Sequence, residues 1–81
     1  MNLETLPLRH KARISGFDLS VLAAHEARRL QELGFDEGVL VELLHHGPMG
    51  KDPIAWRVGR MPIALRGRQA AAIFVELEER S

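Results

Sequence analysis

The sequence predicts a mainly β chain: a small SH3-like barrel of about five strands, with an α-helical insertion after the first strand. Three observations lead there. Apolar and polar residues alternate in several short runs, each bounded by glycine, proline or aspartate. One segment, 20–33, carries helical spacing together with a start and a stop signal. Finally, 81 residues cannot spread such strands into a stable flat sheet, and a partly closed barrel limits the exposed edges.

The elements follow in order. Residues 11–17 alternate Ala12 and Ile14 with Lys11, Arg13 and Ser15, as a half-buried strand does, and Gly16 predicts a bulge or a close backbone approach within it. In segment 20–33, Leu22, Ala23, Ala27, Leu30 and Leu33 fall near one helical face with Glu26 among them, and the arginines lie mainly opposite. Ser20 is the expected N-cap, and Gly34 stands where a helix ends on a left-handed residue. Phe35 is then placed to fold back on the last turn, and Asp36-Glu37-Gly38 turns the chain.

In the strand expected over 39–46, Val39, Val41, Leu43 and His45 would share one face, and Leu40, Glu42, Leu44 and His46 the other. Residues 47–53 are a loop by composition. Ile54, Trp56 and Val58 alternate as a strand with a core face, which makes Trp56 a core residue. Gly59-Arg60 fits a two-residue hairpin turn with positive φ at the glycine. Met61, Ile63 and Leu65 form the next inward row, and Pro62 assigns that strand to an edge or to its own beginning. A helical turn over 67–72 leads to a last strand through Ile73, Val75 and Leu77.

The chain reads as one domain over 1–81. It has no cysteine, which excludes disulfides, thiolate metal sites and a cysteine nucleophile. Hydrophobic residues make up 46% of it, so the core must come from aliphatic packing. Eleven basic residues balance eleven acidic ones. That balance argues against a general nucleic-acid or membrane-surface binder. It also predicts weak colloidal repulsion, which favours a homo-oligomer or a partner. The longest apolar run, 70–75, is far short of the roughly 20 residues of a membrane span. With no apolar signal core at the N-terminus, a cytoplasmic protein is expected.

Three blocks, in order, carry a family resemblance. They are Arg28-Arg29-Leu30-Gln31-Glu32-Leu33-Gly34-Phe35-Asp36-Glu37-Gly38, then Gly47-Pro48-Met49-Gly50-Lys51-Asp52-Pro53-Ile54, then Ile63-Ala64-Leu65-Arg66 with Ala70-Ala71-Ala72-Ile73-Phe74-Val75. Together they resemble the FeoA family, ferrous iron transport protein A, over about residues 3–77. Two departures are visible: Glu37 stands where a proline is usual, and Lys51 lengthens the loop by one residue. The resemblance implies an SH3-like fold and a role as a small cytosolic accessory of bacterial ferrous iron uptake. The partner it implies is FeoB, a membrane permease with a GTPase domain, which would recruit the protein to the inner membrane. The same barrel resembles the C-terminal domain of iron-dependent repressors. That leaves a metal-responsive regulatory domain as the alternative, and a nucleic-acid-binding barrel as a third reading.

The residues offer little for catalysis. There is no tyrosine or cysteine; Ser20 is better used as a cap, and no motif supports a serine triad. Gly50-Lys51-Asp52 lacks the glycine spacing of a phosphate loop. No enzymatic activity and no cofactor are therefore expected, beyond weak or adventitious divalent metal binding. Of His10, His25, His45 and His46, the candidate ligands are His45 and His46, with Asp52 joining from the loop. Adjacent strand residues point to opposite faces, so the two imidazoles would converge only if the strand ended at His45. Basic residues cluster at Arg9, Lys11 and Arg13 and again at Arg57, Arg60, Arg66 and Arg68, to be solvated and salt-bridged or to meet an acidic partner. The expected contact surface is loop 47–53 with the hairpin: Pro48, Met49, Lys51, Arg57 and Arg60.

Overall fold

The computed structural model describes residues 1–45 and 53–78. Its elements are β1 (Lys11–Phe17), α1 (Ala24–Glu32), β2 (Leu40–His45), β3 (Ile54–Val58), β4 (Met61–Leu65), α2 (Gly67–Ala70) and β5 (Ile73–Leu77), preceded by a 3-10 turn, Leu3–Thr5. All the strand pairings are antiparallel, in one sheet ordered β4-β3-β2-β1-β5, with the helix following the first strand as the sequence predicts. Among the described residues no strand ladder joins β4 to β5, so the sheet stays open along that seam.

β1 lies between β2 and β5, and its alternation buries Ala12 and Ile14 while Lys11, Arg13 and Ser15 face solvent. The register with β5 shifts between Ile14 and Gly16, the bulge that the glycine foretells. The chain's first residues cover the far edge of β5. The Val75 N–H donates to the Met1 carbonyl at 2.9 Å, and Asn2 forms a bridge with Phe74. Leu3 and Leu6 are buried as a result. Pro62 lies on β4, an edge strand, where a missing N–H costs no ladder bond.

Four expectations are corrected. The helix starts at Ala24, not beside Ser20. The backbone N–H and hydroxyl of Ser20 both bond to the Asp18 carboxylate, so a local turn consumes the group expected to cap the helix. Glu26 does part of that work, accepting from the Ala23 N–H at 3.1 Å. Second, Leu33 caps the end of α1 and is exposed instead of facing the core.

Third, His45 does not share the face of Leu43. The register shifts between them: Leu43 opposes Trp56, but His45 opposes Ala55. Two β2 residues therefore match one step of β3, which moves His45 to the outer face. Fourth, Met61 is 62% exposed, although Leu65 on the same row is buried. The alternation holds, but the first residue of an edge strand at a hairpin tip has cover on one side only.

The core is aliphatic and aromatic, led by Trp56, Phe35, Leu3, Leu43, Ile73 and Val41. Among the described residues no polar or charged residue is buried. The helical insertion is joined to the rest of the chain by an ion pair, Arg68 Nη2 to Glu26 Oε2 at 2.8 Å. The hydrogen bond from Arg68, then that from the Ala23 N–H, holds the Glu26 carboxyl below its ordinary value of 4.5. A carboxylate with a lowered folded-state pKa stabilises above its unfolded pKa, and that stabilisation is lost as pH falls through the folded value. We expect Glu26→Gln to have a lower melting temperature than wild type at pH 7. The two should converge as pH drops below about 4.5, the ordinary value. Parallel melting curves at every pH would show that the pair adds nothing.

Candidate functional site

The β3–β4 hairpin is built by its turn. Gly59 takes φ +61, and its N–H donates to the Leu40 carbonyl at 3.1 Å, tying the turn back to β2. This places Arg57 on the outer face and Arg60 at the exposed tip. Arg57 opposes Glu42 on β2, and Glu42 opposes Lys11 on β1. The three side chains thus form a row across the sheet, two cations around one carboxylate.

Arg57 Nη1 lies 3.1 Å from Glu42 Oε1. An exposed cross-strand pair of this kind contributes roughly 0.2–1 kcal/mol, so its main effect is to fix the guanidinium in place. Lys11, Glu42 and Arg57, with Leu40 and Gly59, line a shallow notch of about 110 Å³. Among the described residues neither Lys11 nor Arg60 makes an ion pair, so the hairpin and the adjoining row carry net positive charge.

Of the predicted contact residues, the fold brings Arg57 and Arg60 together on one hairpin. Pro48, Met49 and Lys51 lie outside the described residues, as do His46 and Asp52. His45 ends β2 at an exposed position. Among the described residues no three His, Asp or Glu side chains are grouped to hold a metal ion.

The expected basic face of β1 is only partly formed. Arg9 precedes the strand, takes φ +65, and donates its N–H to the Leu43 carbonyl. Arg13 is committed elsewhere, with Nε and Nη2 on the Glu78 carboxylate at 3.2 and 3.1 Å and Nη1 on the Gly38 carbonyl at 3.0 Å. Arg68 belongs with α1 through Glu26. Sequence reasoning missed three exposed apolar side chains at the ends of elements, Leu33, Met61 and Leu77. A cap position and the end of an edge strand were the signals that could have found them.

This arrangement can hold anionic groups against a rigid sheet. A family model described as FeoA domain matches residues 1–77. The chain belongs to the FeoA domain family. It is thereby a small SH3-like domain of a family associated with ferrous iron transport. FeoA of Stenotrophomonas maltophilia, solved as a complex with zinc and described as a procaryotic SH3 domain protein, is 36% identical. The match covers 100% of this chain and 99% of that one, at a TM-score of 0.81. FeoA of Chlorobium tepidum is 27% identical over 95% of this chain and 70% of that one, at a TM-score of 0.84. T. acidophilum IdeR, at 21% identity and a TM-score of 0.71, shares the fold over 96% of this chain and 34% of its own. A search of curated proteins gave no match. Among the described residues of this FeoA domain, no helix is long and apolar enough to cross a membrane.

Proposed function

We propose that this FeoA domain docks on the cytosolic part of a FeoB-like ferrous iron permease and biases its transport or GTPase cycle. The observation that carries this reading is the hairpin. A glycine turn presents Arg57 and Arg60 on a family scaffold that belongs to ferrous iron transport. Loop 47–53, with Pro48, Met49 and Lys51, completes the proposed contact surface.

A docking protein with no catalytic groups acts by binding one partner conformation better than another. Its effect is bounded by that difference in affinity. The protein works in the cytoplasm and reaches the inner membrane through its partner. It needs no cofactor of its own, a reading supported by the missing cysteines and the lack of a ligand motif. The IdeR likeness is one of fold and supports no repressor-like role.

Calorimetry with the cognate FeoB cytosolic domain tests the proposal. Wild type should bind in the micromolar range, and Arg57→Glu/Arg60→Glu should weaken binding about tenfold, or roughly 1.4 kcal/mol. Folded wild type that shows no heat up to about 100 µM, where a micromolar complex saturates, would remove direct docking on that domain.

A further inference from the structure

We infer that the docking surface extends from the hairpin onto the C-terminal end of α1, where it receives a partner segment whose carboxylates flank an apolar side chain. The inference rests on the docking reading above and names the chemistry of its occupant.

A short chain of contacts joins the two elements. Leu33 caps α1 and Gly34 follows it. A Cβ built on Gly34 would lie 3.4 Å from Val58 Cγ1, so the helix end sits directly against β3. Val58 pairs with Met61 across the hairpin. Leu33, 46% exposed, precedes Gly34, and Met61, 62% exposed, pairs with Val58, so each neighbours one partner of the Gly34–Val58 approach. Two large apolar side chains left open next to this approach of Gly34 to the Val58 side chain provide a binding anchor without grossly exposing the core.

Charge identifies the occupant. Leu33 lines a cleft of about 380 Å³ with His25, Arg28, Arg29 and Glu32. Arg60 stands in the turn beside Met61. Arg13, Arg57 and Arg68 each pair with a carboxylate, but among the described residues Arg28, Arg29 and Arg60 do not. Three guanidinium groups against the carboxylates of Glu32 and, on the far side of Arg28, Glu37 leave the surface positive by one charge, even with His25 neutral.

Three other exposed apolar residues, Phe74, Leu77 and Leu19, lack this setting. Phe74 and Leu77 flank Glu76, and the cleft at Leu19 holds one arginine, Arg28, and one glutamate, Glu37. Acidic residues around an apolar anchor complement the α1–hairpin surface and no other of these patches.

The test is titration of the intact protein with the FeoB cytosolic domain at two salt concentrations. Arg28→Glu/Arg29→Glu should weaken binding tenfold or more and flatten its salt dependence. Leu33→Ser/Met61→Ser should weaken binding about tenfold with the salt dependence unchanged. Glu76→Arg, a charge change of the same size at an exposed site on β5, the opposite edge of the sheet from β4, should leave affinity within about twofold. All these positions are exposed, and a melting curve checks that each variant is folded.

Wild type and the α1 variants binding alike would overturn the extension and leave docking standing. Wild type failing to bind would overturn both. If the variants lose affinity for phosphatidylglycerol vesicles but not for the FeoB domain, the occupant is a lipid surface and the inference fails.

Discussion

Trp56→Ala is expected to remove about 3–5 kcal/mol of stability, the usual cost of emptying a large aromatic site in a packed core. Trp56 is 0% exposed and stands at the middle of β3, opposite Leu43 on β2 and Ile63 on β4. Its ring therefore supports both neighbouring strands, and a cavity there cannot close by moving one of them. A domain of this length has roughly 4–12 kcal/mol in total, so the loss is a large fraction of the whole and should lower the urea midpoint in proportion.

Trp56→Phe should cost much less, about 1–2 kcal/mol. The indole N–H is buried with no hydrogen-bond partner among the described residues, and phenylalanine deletes that unpaired donor with part of the volume. Urea unfolding followed by far-UV circular dichroism checks both variants, because the chain's single tryptophan is lost in each. Equal losses for alanine and phenylalanine would mean that ring packing is not what this position supplies.

Much of the sheet is legible in the sequence. The spans of β1 and β3 follow from alternation alone; Gly59 marks the turn because few other residues suit its positive φ, and Gly16 stands at the register shift of β1. What escapes the pattern depends on tertiary competition. Ser20 has the chemistry of a cap, but a nearer carboxylate, Asp18, takes its hydroxyl. Arg9 adopts φ +65 without the glycine or asparagine that would announce it, because the turn delivers its N–H to the Leu43 carbonyl.

His45 shows the limit of counting by twos. One bulge on β2 reverses its face, and no glycine marks the spot. The residues of the proposed docking surface divide the same way. Arg57 and Arg60 are found from the hairpin pattern, whereas Leu33 and Met61 look like core until the cap and the edge strand are known.

Phe35→Ala should cost a similar 3–5 kcal/mol, but its effect should begin locally. Phe35 is 0% exposed and follows the Schellman ending of α1: the Phe35 N–H donates to the Leu30 carbonyl at 2.9 Å, and the Gly34 N–H to that of Gln31 at 3.0 Å. Gly34 makes this possible at φ +114, where a side chain would be strained. A nine-residue helix is not stable alone in water, so α1 exists because its buried side is docked. Within the helix that side is only Ala27 and Leu30. Phe35 and Leu22 secure its two ends.

Removing the Phe35 ring should therefore free α1 before the sheet melts. Amide hydrogen exchange would show it: protection at Ala27 to Phe35 should fall more than at Ala12 to Ile14 in the centre of the sheet. Affinity for the FeoB cytosolic domain should fall too, because Arg29 and Leu33 are no longer held beside Met61. Uniform loss of protection across both segments would instead make the helix and the sheet one cooperative unit. The Phe35 side chain would then serve the whole core, with no special hold on the docking surface.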